Sequence, residues 1–443
     1  MKNGDVIYAD QVTEHGNSVT YEVGDNSFTI PKSQVQSVDA GNRTQTLPGT
    51  SALPSFTPDA PAATNGPLLD KIVRDGQVDR SALAAIDARG NPKEIAIAYY
   101  VAARTEFQAG KLSDARRDFE SGLRSDPENP ALLNYYAALL VRTGNAPDAV
   151  RYAEKAVQFA PDSADALAVL GYAQFASNHV RDAIESWKKS LTLRPDASIE
   201  ALIARAERES SAEKRYSQHE TGHFVLHYEG EQSSEAFRSQ LLDSLESDYQ
   251  NLSREFEAEP RASIQVILYT NKAFFDVTRA PSWTSALNDG KLRIPIDGLS
   301  SVTSELARVL RHELTHSFVN QLTMGRCPHW LNEGVAQMME PRMLGRRLPQ
   351  LAELFKEQRE IPINQLEDGF TSLNTMEAEL AYDESLASVD YIRNTYGMDS
   401  IVRTLQRLGD GESPEAALRT TIHVDYRQLE ENVRTYLVRQ SEN

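Results

Sequence analysis

The sequence has a single cysteine, Cys327, so no intramolecular disulfide can hold it together. Fixed contacts must come from packing, hydrogen bonding or a bound ion. Long apolar runs are missing as well: no window approaches the roughly 18 residues a membrane helix needs. Positive charge is short, with 46 Lys and Arg against 64 Asp and Glu and a formal net charge of -18. The nearest thing to a basic cluster is Arg342, Arg346 and Arg347, which reads as a solvated turn. Phosphates would be repelled by such a surface, so nucleic acid is excluded as a partner. The start, MKNGDVIYAD, lacks an apolar signal segment and fits either a cytosolic chain or a trimmed mature form with a replacement Met.

What is present can build packed cores: 40% of the 443 residues are hydrophobic and 25% charged. That length favours two to four domains. Residues 5–40 read as a small β unit, with strands at Val6 to Tyr8, Val19 to Val23 and Ser27 to Pro31, and Val35 to Val38 closing it. The turns fall at Gly16-Asn17 and Gly24-Asp25-Asn26. Prolines 48, 54, 58, 61 and 67 then prevent regular structure and predict an extended, mobile tether. Helical periodicity restarts over Leu68 to Ala85.

The next segment repeats. Pro127, Pro161 and Pro195 are spaced 34 residues apart, and other features keep the same phase. Twelve residues before each lies Ala115, Ala149 or Ala183, and seventeen before lies Gly110, Gly144 or Asn178, which tolerate a tight turn. Phe119, Ala153 and Trp187 fill the groove between helices, and Leu123, Val157 and Leu191 continue that face. Helix pairs in this phase stack into a solenoid, with residues 197–213 as a polar-faced capping helix. Residues 96–195 resemble the tetratricopeptide repeat, with Tyr99, Leu133 and Leu167 where that family often has tryptophan. The resemblance implies a protein partner on the repeats, or a spacing role.

Beyond Tyr216 the character changes. Gly222 to Tyr228 alternates like a strand, a helix follows over 233–256, and Ser263 to Tyr269 reads as a buried strand. Leu292 to Ile296 is a third strand, whose proline favours an edge. A long helix over Ser304 to Leu322 carries His312-Glu313-Leu314-Thr315-His316. Residues four apart share a helix face, so the two imidazoles can bind one zinc, and Glu313 is offset enough to reach a water without coordinating. A catalytic zinc keeps three protein ligands and one position for water. Glu333, in the first turns of a second helix opened by Trp330-Leu331-Asn332, is the expected third ligand.

This part resembles the gluzincin metallopeptidases, specifically the peptidase MA-like domains often joined to tetratricopeptide repeats. The motifs that carry the likeness are His312 to His316 and Trp330-Leu331-Asn332-Glu333-Gly334-Val335-Ala336. The resemblance implies zinc bound by His312, His316 and Glu333, with Glu313 as general base in peptide-bond hydrolysis. Better-known members carry an acidic residue four beyond the third ligand, to orient a ligand histidine. Here that position is Gln337, a weaker acceptor. Asp289 to Pro295 resembles the strand that borders the cleft in this group and would pair with an extended peptide. Repeat proteins bearing this peptidase-like domain resemble bacterial exported or envelope proteins.

Tyr382, on a helix through Glu377 to Leu386, is the candidate donor to the oxyanion of peptide hydrolysis; a tyrosine packed on the core is the alternative. Cys327 reads as an inert thiol, and His329 is set aside because the neighbouring turn fixes no register for it. The expected architecture is multidomain: a small β unit (1–41), a Pro/Ser/Thr-rich linker (42–66), an all-α tetratricopeptide-like solenoid (67–213) and an α+β gluzincin-like metallopeptidase domain (214–443) holding one Zn(2+). Two rivals stay open, a protein-interaction scaffold with a weakly active or inactive peptidase-like domain, and a structural zinc clip closed by Cys327.

Overall fold

The computed structural model describes residues 11–16, 18–23, 26–35, 58, 69–74, 76–230, 232–280, 286–296, 299–340, 347–370, 373 and 375–441. The expected strand at Val6 to Tyr8, the turn residues Gly24 and Asp25, Val38, Arg342 and Arg346 lie outside these residues, as does the proline-rich segment apart from Pro58. Pro58 itself is buried, and its carbonyl accepts a hydrogen bond from the Tyr135 hydroxyl. At that residue the tether is held against the helical repeats.

Strands β1 (Gln11–His15), β2 (Ser18–Val23) and β3 (Asn26–Pro31) form an antiparallel sheet in that order. His15 opposite Ser18 brackets the expected two-residue turn, with Gly16 at φ 56. The continuous helix expected from Leu68 is broken. A short helix α1 (Leu69–Ile72) runs into a two-stranded ribbon, β4 (Val73–Arg74) and β5 (Gln77–Val78), before α2 (Arg80–Asp87). Gly76 at φ 72 supplies the reversal, and Asp79 caps α2 by accepting from the Ser81 and Ala82 amides.

Three helix pairs follow: α3 (Pro92–Gln108) with α4 (Leu112–Ser125), α5 (Pro130–Arg142) with α6 (Ala146–Phe159), and α7 (Ala164–Ala176) with α8 (Val180–Leu193). Asn91, Asn129 and Ser163 cap the first helix of each pair by accepting backbone amides. Gly110, Gly144 and Asn178 all take positive φ, at 73, 74 and 62, as the 34-residue phase predicts. Ala115, Ala149 and Ala183 are fully buried where the helices cross.

Helix α9 (Ala197–Ala212) caps the last repeat and keeps Glu200, Glu207 and Ser211 exposed, but it is not a free end. Its Ile199, Leu202, Ile203 and Ala206 pack against the last repeat, while Glu209 is wholly buried and joins the next unit. A free cap would have left that carboxylate in water.

The mixed unit is built on a five-stranded sheet: β6 (Ser217–Glu220), β7 (Phe224–Tyr228), then α10 (Glu235–Phe256), β8 (Ile264–Tyr269), α11 (Asn271–Thr278), β9 (Leu287–Asn288) and β10 (Leu292–Pro295). The order is β6-β7-β8-β10-β9, with β7, β8 and β10 parallel and the two outer strands antiparallel. The edge nearest the site is therefore β9, and the strand at Leu292 is one place inside. Proline is tolerated in β10 because β9 pairs only with Leu292 and Arg293, leaving Pro295 beyond its reach.

Helices α12 (Ser304–Thr323) and α13 (His329–Met339) carry the site. Then come α14 (Leu348–Lys356), α15 (Thr375–Tyr396), α16 (Met398–Gly409), α17 (Pro414–Ile422) and α18 (Tyr426–Ser441). One apolar core joins sheet and helices, running from Phe224 and Leu268 through Leu314, Trp330 and Val335 to Leu437. Arg347, expected to be a solvated residue, is exposed and also pairs with Asp383 at 3.2 Å. Among the described residues no helix is long and apolar enough to cross a membrane.

Candidate metal centre

The chain reverses between α12 and α13 through Met324 and Gly325, both left-handed at φ 52 and 73. This lays the first turns of α13 across the middle of α12. Gly334 makes the approach of α15 behind it feasible, since a Cβ there would stand 2.4 Å from the Ser385 carbonyl oxygen. Glu333 is thereby aimed at the two histidines. His312 Nε2 lies 3.5 Å from Glu333 Oε2, and His316 Nε2 lies 3.8 Å from Glu333 Oε1. The imidazoles meet edge to face with centroids 4.9 Å apart.

Donor atoms of His312, Glu313 and His316 all fall within 4.8 Å of one another. Glu313 is offset on the helix, as its adjacency to His312 requires, and is tied to β9. The Asn288 side-chain amide donates to the Glu313 carbonyl and to Ser317 Oγ, both at 2.7 Å, and the Asn288 backbone amide donates to the Glu313 carboxylate. His312 and Glu313 keep some contact with solvent, whereas His316 and Glu333 are buried.

The outer imidazole nitrogens have partners that the sequence did not reveal. His316 Nδ1 is 3.0 Å from Asn332 Oδ1, which can only accept, so Nδ1 is the donor there and Nε2 is the nitrogen turned to Glu333. His312 Nδ1 faces Glu340 Oε2 at 3.5 Å, an ion-pair distance beyond hydrogen-bond geometry. Arg308 holds Glu340 in turn at 3.0 Å. Gln337, expected to orient a histidine, does not: its amide donates to the Tyr382 carbonyl at 2.9 Å and its own oxygen is buried without a partner. Glu340 stands seven residues after Glu333, two helical turns along the same face, and that spacing was the available signal.

The charges are mutually adjusted. Burial alone would raise the Glu333 carboxyl, but His316 and His312 overcome it and hold it at about 2. Burial would lower His312, yet Glu333 and Glu340 raise it to about 10. Loss of solvent raises the Glu313 carboxyl, with the Glu333 charge adding to the effect. Burial also pushes the Cys327 thiol well up, in the direction of an inert side chain.

Tyr382 is half-buried on α15, edge-on to Phe370 with centroids 5.0 Å apart. Phe370 is edge-on in turn to His329 at 4.4 Å. His329, which the sequence left without a register, is the first residue of α13, with its Nε2 3.8 Å from Glu333 Oε1.

Residues 249–439 match the Peptidase MA superfamily, and residues 100–164 match the tetratricopeptide repeat. The chain joins a tetratricopeptide-repeat region to a Peptidase MA superfamily domain. Similar solved structures are the first tetratricopeptide domain of human RPAP3 and the first such domain of Spaghetti (RPAP3) bound to the HSP90 peptide SRMEEVD. Each is 21% identical with a TM-score of 0.26, covers 26% of this chain, and is itself covered over 92% and 93% respectively. No curated protein matches the chain. The Peptidase MA match takes in β8 to β10, both site helices and every candidate site residue, and it begins inside α10.

Proposed function

We propose that the Peptidase MA superfamily domain is a zinc-dependent peptidase, with His312, His316 and Glu333 as metal ligands and Glu313 as general base. The single observation that carries this reading is the convergence of two imidazole Nε2 atoms on one buried carboxylate, 3.5 and 3.8 Å away. The donor set suits zinc: two nitrogens and one carboxylate oxygen, with the other nitrogens facing Asn332 and Glu340. A zinc ion held there would polarise a substrate carbonyl and make a water molecule acidic near neutral pH.

The chain's own residues do the rest. Glu313 takes the proton of the attacking water and delivers it to the leaving amine, a task favoured by a carboxyl raised toward neutrality. Asn288 holds that carboxylate from the edge strand β9, which offers its open side to an extended peptide. Tyr382 serves as a donor to the developing oxyanion from the wall formed with Phe370. The repeats bear a protein partner or substrate.

Replacing Glu313 with Gln is expected to leave zinc stoichiometry unchanged while abolishing cleavage of a broad peptide library. Undiminished cleavage by that variant sinks the mechanism. A second reading, a scaffold with a weakly active domain, draws on Gln337 standing where better-known relatives have an acid. It is supported if the wild-type protein binds zinc and cleaves nothing in the library.

A further inference from the structure

Three imidazoles, not two, turn Nε2 toward the Glu333 carboxylate. His329 Nε2 is 3.8 Å from Glu333 Oε1, the same distance to the same oxygen as His316 Nε2. The spacing is inherent in the helix: His329 and Glu333 stand four apart on α13, on one face. Distance to the carboxylate therefore gives no reason to count His316 as a donor and leave His329 out.

His329 is also held in place. Its backbone amide donates to the Glu367 carbonyl at 2.9 Å, its ring stands edge-on to the buried Phe370, and its side chain is 13% exposed. A surface histidine that swings in by chance would show neither restraint. Among the other groups near the centre, Glu340 lies against His312 and Arg308, and Cys327 is a half-buried thiol at the edge of the apolar core, its proton favoured by burial and by the Glu333 charge.

We propose that His329 is a fourth protein donor to the ion held by His312, His316 and Glu333, occupying the substrate's position until a substrate displaces it. This rests on the metal reading above and adds regulation to it. With four protein donors the resting centre is closed; with three it is open. The exchange is of one donor for another, with no covalent step. Since His329 packs on Phe370, and Phe370 on Tyr382, its departure would rearrange the wall that carries the candidate oxyanion donor.

The test uses the full chain loaded with Co(II), which broadens little and shifts nearby protons far from the ordinary range in NMR spectra. Each histidine bound through Nε2 contributes one far-shifted, exchangeable Nδ1–H resonance. Three such resonances are expected in the wild type and two in His329→Gln, together with Co(II) binding weakened at least about tenfold. Two resonances in the wild type overturn the proposal and leave the three-ligand peptidase reading standing. So does a His329→Gln variant with unchanged affinity and spectrum. A wild-type chain that takes up no Co(II) or Zn(II) overturns both readings. If His329→Gln fails to fold, the count in the wild type still decides.

Discussion

The two proposed ligand imidazoles face different groups with their second nitrogens. His316 meets a neutral amide, Asn332, while His312 faces a carboxylate, Glu340, that is itself held by Arg308. A carboxylate strengthens the donor it faces, and an amide only orients it. Glu340→Gln keeps the volume and removes the charge. It is expected to weaken zinc binding by about 10- to 100-fold, measured by competition with a chelator at fixed pH. An unchanged affinity would reduce Glu340 to a partner of Arg308. The motif points to Gln337 for this place, but Glu340, one turn further along α13, is the residue that faces His312. The reason is steric: α15 approaches so closely at Gly334 that Gln337 faces the Tyr382 backbone, not the histidines.

The helix carrying Tyr382 also carries a carboxyl in an unusual state. Glu384 on α15 is 3% exposed and accepts the Ile361 amide at 3.0 Å, with Glu360, Glu430 and Asp383 around it. Burial raises it to about 8, with the neighbouring acids adding to the effect. Between the ordinary carboxyl value and about 8 the folded chain holds a proton that the unfolded chain has lost. Stability from this group is therefore full at acid pH, falls as pH rises through that window, and is flat above it. Glu384→Gln retains the acceptor for Ile361 and removes the titration. Thermal melts should show the variant gaining on the wild type between pH 5 and pH 9, by on the order of a few kcal/mol. Parallel pH profiles would contradict the assignment.

Much at this scale was legible beforehand. The 34-residue phase gave six helices and the three positive-φ turns, because helix packing repeats the same small and large residues at the same places. The His312 to His316 spacing gave one helix face. What escaped had no period to betray it: β6 reads Ser-Gln-His-Glu and is exposed throughout, and β9 is two residues long. A turn precedes His329 in the sequence and hides its register, yet that turn ends at Pro328 and the helix starts on His329 itself.

Across the whole molecule, the repeats and the peptidase-superfamily domain are joined along one line. Two of the three turns within the helix pairs bond to that domain: Arg326 donates to the Gly110 carbonyl, and Asn178 accepts from Lys291 at 2.7 Å. The third, at Gly144, faces Gln321. At the end of this line Glu209 of α9 binds both Lys291 and Arg293, and Arg293 also binds Asp289 at 3.0 Å, all of them buried. Asn288, the residue before Asp289, is the one that holds Glu313. The solenoid thus braces the strand that positions the proposed base. Glu209→Ala removes one carboxylate from two buried cations and is expected to cost about 3–5 kcal/mol. Lys188→Ala breaks an exposed pair with Glu207, where the side chains are 58% and 52% open, and is expected to cost under about 1 kcal/mol. In hydrogen exchange, Glu209→Ala should speed exchange together in α9, in Leu287 to Pro295 and in the middle of α12, whereas Lys188→Ala should leave all three protected. If loosening after Glu209→Ala stays within α9, the repeats support nothing at the site, and the coupling argued from Asn288 is wrong.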